Sequence, residues 1–388
     1  MPGRIRTTHV GSLPRPADLI DLLRSRHENK AIDDRQFQAR CREAVAECVA
    51  RQVDCGIDYV SDGEMSKVSY AYYVQDRLTG MEATNVAEAS GAQLTRFQRL
   101  RLEYPEFADF MEFRAKANAG PSSVKPPVCT GPLSYRDTGA VEADIDTLKT
   151  AVQAAGAYAG FMTAASPGVV AMFASASSYY TSEDDYVFGL ADALRPEYQA
   201  IIAAGLVLQI DCPDLPLTHR MRYLAGDVDP MKIAARNIEA INVAISGLPA
   251  DKVRIHLCWG NYAGPHTDDI DVKALFPVLR NLKARGLSFE AANPRHAHEW
   301  SDWKDAGLAE DMVLIPGVID SVSNFVEHPR LVAERISRFA DIVGADRIIA
   351  GADCGFGTFA TGNVQVFPSI VWAKLRTLRE GAEIASRA

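Results

Sequence analysis

Residues 254–260 read Arg-Ile-His-Leu-Cys-Trp-Gly, and residues 352–357 read Ala-Asp-Cys-Gly-Phe-Gly. Each is a short apolar run that ends in reactive side chains, and that habit decides the fold. In an extended strand, side chains two apart share a face, so His256 and Cys258 point the same way. Run after run closes on such a group: His9, Asp62 and Glu64, Asp211, His256 and Cys258, Glu290, Asp320, then Asp353 and Cys354. An open doubly wound sheet, the runner-up, gathers only the strands at its switch point. A TIM (β/α)8 barrel gathers the C-terminal ends of all its strands at one mouth. The ring fits better, and no Gly-x-Gly-x-x-Gly follows an early strand to argue for a dinucleotide fold.

Outward from these runs, β-rich segments alternate with amphipathic ones, as a parallel sheet covered by helices requires. The strand candidates are Thr7–Leu13, Asp58–Ser61, Pro127–Gly131, Gly160–Ala165, Leu206–Asp211, Arg254–Trp259, Leu287–Ala291, Met312–Ile319 and Arg347–Ala352. The helix candidates are Asp34–Cys55, Val141–Tyr158, Glu183–Ala204, Met231–Ser246, Val272–Ala284, Pro329–Val343 and Pro368–Arg387. The strands number one more than an eight-stranded barrel needs, so either Pro127–Gly131 or the N-terminal run is expected to be irregular. Between Glu64 and Val128 the rhythm breaks for longer than an ordinary βα loop. Residues 65–125, with a helical-looking Gln93–Ala117, are expected to form a cap or lid inserted after the second strand. The expected organisation is one barrel domain over residues 1–388.

The 388 residues are 47% hydrophobic and 23% charged, ample for one large core. A net charge of −9 argues against a nucleic-acid partner. Seven cysteines form no disulfide framework; Cys41, Cys48 and Cys55 recur every seven residues and read as one buried helical stripe. The N-terminal MPGRIRTTHVGSLPRP lacks the apolar run of a signal peptide. No stretch approaches the ~20 apolar residues of a membrane span. The expected setting is a reducing cytoplasm, with small-molecule partners, no membrane, and a homo-oligomer left open.

His256, Cys258 and Cys354 carry an imidazole and two thiols suited to zinc. Glu290 lies in the apolar Leu-Ser-Phe-Glu-Ala-Ala-Asn run, where an unpaired carboxylate is costly to bury. A metal would relieve that cost, and so would Arg254. Zinc with two thiolates and a carboxylate is already about −1, a poor maker of hydroxide. Such a site suits holding a substrate thiol as a nucleophilic thiolate for attack on an alkyl carbon. His296, in Pro-Arg-His-Ala-His-Glu-Trp, is assigned to substrate binding or helix capping, and His266 to a solvated turn.

The motifs His-Leu-Cys-Trp-Gly-Asn-Tyr, Phe-Glu-Ala, Pro-Gly-Val-Ile-Asp and Ala-Asp-Cys-Gly resemble the C-terminal barrel of cobalamin-independent methionine synthases. Thr-Thr-His-Val-Gly-Ser-Leu-Pro-Arg and Ser-Asp-Gly-Glu at 61–64 extend the likeness. Cys-Trp-Gly-x-x-x-Gly-Pro-His, Val-Glu-His-Pro-Arg and Trp-Ala-Lys-Leu resemble the single-barrel branch that includes epoxyalkane:coenzyme M transferase. The resemblance implies a TIM barrel, with zinc on His256, Cys258, Glu290 and Cys354. It implies that Glu64 and Asp211 hold the amino group of homocysteine. The family's tryptophan under the pterin corresponds to Phe173, its Asp-Glu-Pro to Asp211-Cys212-Pro213, and its Tyr-Asp-Ile-His to Ile319-Asp320-Ser321-Val322, without the proton-donating histidine.

The expected function is thus zinc-dependent transfer of a methyl or other alkyl group, or an epoxide carbon, to a small thiol. His9, Gly11 and Ser12 are expected to line the mouth after the first strand. Asp211 counts with Asp320 and Tyr262 among the catalytic candidates, the last two as proton carriers. The alternatives are a methyl-folate:homocysteine methyltransferase proper, a metal-free barrel decarboxylase of the uroporphyrinogen type, a non-catalytic zinc thiol-binder, and a structural zinc site.

Overall fold

The computed structural model describes residues 4–27, 30–83, 96–118, 127–174, 177–217, 229–360 and 364–387. Its strands are β1 (Arg6–Thr7), β2 (Tyr59–Val60), β3 (Leu78–Ala83), β4 (Pro127–Tyr135), β5 (Ala159–Ala165), β6 (Val207–Asp211), β7 (Val253–His256), β8 (Gly286–Phe289), β9 (Val313–Ile319) and β10 (Ile349–Ala352). Eight of them form one parallel sheet in the order β1-β10-β9-β8-β7-β6-β5-β2. The two end strands meet through one side-chain and one backbone hydrogen bond rather than a ladder. Asp58 Oδ2 accepts from the Thr7 backbone N–H at 2.9 Å, and the Asp58 N–H donates to the Thr7 carbonyl at 3.2 Å. The sheet is therefore a nearly closed barrel, as expected from the polar strand ends.

The surplus run is Pro127–Gly131. It belongs to β4, which pairs antiparallel with β3 outside the barrel. The expectation missed β3, because Leu-Thr-Gly-Met-Glu-Ala contains a glycine and no β-branched alternation. The N-terminal run is a barrel strand, but shorter than expected, and Gly11 bends the chain at φ +146°.

The covering helices follow the apolar periodicity. Asp33 caps the helix Asp34–Asp54 by accepting from the N–H groups of Arg35 and Gln36. Cys41 and Cys48 are buried on its inner face, beside Phe37, Val45 and Val49, and Cys55 is buried just beyond it. Burial pushes the Cys41 and Cys48 thiols up to about 12, so they are inert packing groups. The expected helix Gln93–Ala117 is two, Arg96–Glu103 and Pro105–Asn118. Pro105 disfavours helical backbone at Tyr104 and starts the second helix at its first turn. That helix stands at the barrel mouth, with Met111 and Arg114 facing the loops around Tyr262 and Gly357 across a cleft. Among the described residues, no helix is long and apolar enough to cross a membrane.

Candidate metal and thiol site

The ends of β6, β7, β8 and β10 converge on one buried cluster. Asp211 and His256 are the last residues of β6 and β7 and stand in register. Cys258 follows two residues after His256, on the same side, and Cys354 follows two residues after β10. Ligand atoms of His256, Cys258 and Cys354 all lie within 4.8 Å of one another. The two sulfurs are 3.5 Å apart. That is far beyond the ~2.05 Å of a disulfide, and close to the ~3.8 Å edge that two sulfurs at ~2.3 Å from one tetrahedral zinc would span. The donor set therefore fits zinc.

The two thiols and the imidazole act on one another. The hydrogen bond from Cys354 brings Cys258 down to about 7 against the opposing effect of burial, and the His256 charge helps. The same bond and burial push Cys354 up. The pair thus shares one proton between two sulfurs. Burial disfavours the His256 cation, but its hydrogen bond to Asp211, Nδ1 to Oδ1 at 3.2 Å, outweighs that and raises it.

Glu290 stands beside this cluster rather than within it. Its Oε1 accepts from the Trp259 N–H at 2.8 Å and its Oε2 from Asn293 Nδ2 at 2.8 Å. Burial, followed by the neighbouring Cys258, pushes its carboxyl well above the usual range. Each carboxylate oxygen has a second lone pair, so these bonds leave room for a ligand role.

Above the sulfurs lies a cavity whose walls include Ser12, Glu64, Phe173, Asp211 and Tyr262. Glu64 reaches it from a tight turn: Gly63 and Glu64 have φ of +67° and +57°, and Asp62 Oδ1 accepts from the Glu64 N–H. A non-glycine residue in that region is unusual, and such strain concentrates at functional sites. Glu64 Oε1 accepts from Thr163 Oγ1 at 2.9 Å, while its buried Oε2 has no hydrogen-bond partner. Burial raises this carboxyl to about 7, with Asp211 and Asp62 adding to the effect and Lys67 and Arg15 opposing it.

Four expectations are corrected by the geometry. His9 does not line the cavity: its Nδ1 accepts from the Gly11 N–H, which leaves Nε2 to donate to Gln52 Oε1 at 2.7 Å. Burial lowers it to about 4, so it is a neutral core tether. Gly11 is held for its backbone, since a Cβ there would come within 2.5 Å of Thr163 Cγ2. His296 sits away from the cavity between two carboxylates, Nδ1 to Glu299 Oε2 at 3.0 Å and Nε2 to Asp269 Oδ2 at 3.1 Å. Burial opposes its charge, but these partners raise it to about 10, so it is a structural cation. Asp320 caps its own turn by accepting from the Val322 N–H and does not line the cavity.

Sequence reasoning also missed contributors. Asp353 accepts from the N–H groups of Ala291, Ala292 and Asn293 at 2.8 Å each, tying the end of β8 to the end of β10. Tyr70, Asn261, Thr358 and Phe359 line the cavity. The aromatic run Tyr70-Ala-Tyr-Tyr73 was the available signal for the first of these.

The fold and the cluster together define a parallel barrel with two thiols and an imidazole gathered at its C-terminal mouth. Residues 5–170 match the catalytic-domain model of the cobalamin-independent synthase family. The chain is 25% identical over 387 residues to a methionine synthase of Thermococcus kodakarensis, covering 98% of this chain and 93% of that one. It is 24% identical to one of Sulfurisphaera tokodaii, covering 97% and 91%. A B12-independent methionine synthase of Shewanella sp. W3-18-1, solved in complex with selenomethionine, shares the fold at a TM-score of 0.71 and 19% identity, over 99% of this chain and 98% of that one. The putative vitamin-B12-independent methionine synthase of Listeria monocytogenes does so at 0.65 and 20%, over 98% and 99%. The chain is thus similar to the cobalamin-independent synthase family over residues 5–170 and to methionine synthases over nearly its whole length. The narrower likeness to the epoxyalkane:coenzyme M transferase branch is not shown by these relatives.

Proposed function

We propose that the protein is a zinc-dependent methyltransferase whose acceptor is a small amino-thiol of the homocysteine type. The observation that carries this reading is the pair of sulfurs 3.5 Å apart, with His256 in ligand reach, beneath a cavity walled by Glu64 and Asp211. The relatives' descriptions as methionine synthases support methyl transfer to homocysteine over decarboxylation.

In this reading His256, Cys258 and Cys354 hold the metal, with Glu290 as the fourth ligand. Zinc supplies the positive charge that keeps a substrate sulfur deprotonated and nucleophilic. Glu64 Oε2, which has no hydrogen-bond partner and stands 3.9 Å from Arg15, accepts from the substrate ammonium, and Asp211, on the same cavity, does so as well. Asp211 also orients the His256 imidazole through Oδ1, the second-shell arrangement common at zinc histidines. Tyr262 lines the cavity and is the candidate proton carrier that the geometry supports; Asp320 is turned away. The helices Arg96–Glu103 and Pro105–Asn118 act as the lid of a single barrel domain and limit water at the mouth.

The test is metal content followed by proton release. Freshly purified protein is expected to hold close to one zinc per chain, and adding homocysteine to it should release about one proton per site at neutral pH. Protein without zinc, or zinc protein that releases no proton with any thiol, would overturn the proposal.

A further inference from the structure

We propose that Gln209 is a positioning residue of the site, fixing which oxygen of Asp211 serves His256 and which meets the substrate ammonium. It acts through Asp211, and its role rests on the methyltransferase reading above.

Four inward-facing residues on two neighbouring strands are involved. Gln209 and Asp211 lie two apart on β6, as Arg254 and His256 do on β7, and the two pairs stand in register. All four are buried. Their side chains form one continuous run of hydrogen bonds. Arg254 Nε donates to Gln209 Oε1 at 2.9 Å, Gln209 Nε2 donates to Asp211 Oδ1 at 3.0 Å, and that oxygen meets His256 Nδ1 at 3.2 Å.

The run has a direction, and Arg254 sets it. Its guanidinium also donates to Thr8 Oγ1 at 3.2 Å and to the His9 carbonyl at 3.3 Å, and lies 3.9 Å from the centre of the Phe161 ring. Among the described residues no carboxylate bonds it. Burial brings this guanidinium down to about 9, so at neutral pH it is still a cation and can only donate. Oε1 of Gln209 must therefore face Arg254, which turns Nε2 toward Asp211 and the Val10 carbonyl. The opposite amide orientation would set N–H against N–H on one side. On the other it would set oxygen against a carboxylate and a carbonyl, which is costly at a buried site.

Gln209 thereby gives Asp211 two unlike oxygens. Oδ1 takes the Gln209 amide and the His256 imidazole, one bond for each lone pair. Among the described residues Oδ2 takes no hydrogen bond, and Asp211 borders the cavity while Gln209 does not. With Oδ1 saturated, a substrate ammonium is left with Oδ2, and the imidazole keeps its carboxylate when substrate binds. Without the Gln209 amide, the carboxylate is free to turn and offer either oxygen to either partner.

The experiment uses zinc-loaded protein with homocysteine and its des-amino analogue 4-mercaptobutanoate, which keeps the thiol and the carboxylate but lacks the ammonium. Binding is followed by calorimetry and proton release, with circular dichroism to check the fold. Gln209→Glu keeps the size and the acceptor for Arg254 but cannot donate to an ionised Asp211, and Gln209→Met lacks both. In each variant homocysteine should bind about tenfold more weakly, as loss of one hydrogen bond to a charged group implies, while 4-mercaptobutanoate changes less than about twofold. In an Asp211→Asn background the homocysteine loss caused by Gln209→Glu should shrink to less than about twofold, because residues that act through one another are not additive. Full homocysteine affinity in Gln209→Glu would overturn the inference, since Gln209 would then serve only to satisfy Arg254. Equal weakening of both thiols, or an undiminished loss in the Asp211→Asn background, would overturn it as well. In each of these cases proton release by homocysteine on the wild type leaves the thiol reading standing. Absence of that release would overturn both.

Discussion

Cys258 and Cys354 are supplied by strands on opposite sides of β8 and β9, yet their sulfurs meet at 3.5 Å. Glu290 lies between them in the sheet order with both oxygens already hydrogen-bonded, so its ligand role can be separated from its structural one. Glu290→Gln keeps an oxygen for the Trp259 N–H but removes the charge. If Glu290 completes the zinc set, chelator competition should show zinc held about 10–100-fold more weakly in Glu290→Gln, and more weakly again in Cys354→Ala, with circular dichroism unchanged in both. An unchanged zinc affinity in Glu290→Gln would remove Glu290 from the set. At this scale the sequence was legible where a local rule applies. The i, i+2 spacing put His256 and Cys258 on one face, whereas Glu64 was placed only by resemblance, and the turn at Gly63 and Glu64 that aims it was not read. It was not legible for His9 and His296, whose roles are fixed by partners far along the chain or off the strand: Gln52 for one, Asp269 and Glu299 for the other.

Elements were readable in proportion to their periodicity. The helix Pro329–Val343 was recognised to the residue, because its apolar stripe is clear and Pro329 starts it. The β3–β4 hairpin was half seen, since nothing in a single strand says whether its partner is parallel and in the barrel or antiparallel and outside it. Its register shifts between Thr79 and Met81, where Gly80 takes φ +74°. A Cβ at Gly80 would come within 2.6 Å of the Pro132 carbonyl oxygen and 2.7 Å of that of Gly131. Backbone atoms cannot swing aside as a flexible side chain can. Gly80→Ala should therefore destabilise this hairpin by about 1–3 kcal/mol. Hydrogen exchange should quicken in Leu78–Ala83 and Pro127–Tyr135 while β5 to β10 stay protected. Uniform loss of protection would mean that the hairpin and the barrel unfold as one unit.

At the scale of the whole molecule, the barrel closes through side chains as much as through ladders. Asp58 joins β1 to β2, and Asp353 joins the ends of β8 and β10. His296 ties the segment after β8 to the loop after β7 through Glu299 and Asp269, and Glu299 in turn accepts from the Val272 N–H at 2.8 Å. Polar strand ends made the ring legible in the sequence; these cross-ties were not, because each joins residues with no shared pattern. His296 makes such a tie measurable by pH. Its folded-state value is raised from 6.5 to about 10, burial opposing and the two carboxylates prevailing. The folded protein therefore keeps a proton that the unfolded chain gives up. The stabilisation is fully present below about 6.5 and is lost as pH rises toward about 10. Comparing the wild type with His296→Gln at each pH cancels the titration of the other groups to first order. The wild type should be the more stable at pH 6, and its advantage should shrink by on the order of 3 kcal/mol by pH 10. Denaturant midpoints measured across that range would check it, and a difference independent of pH would mean that His296 is neutral and the tie is one of packing alone.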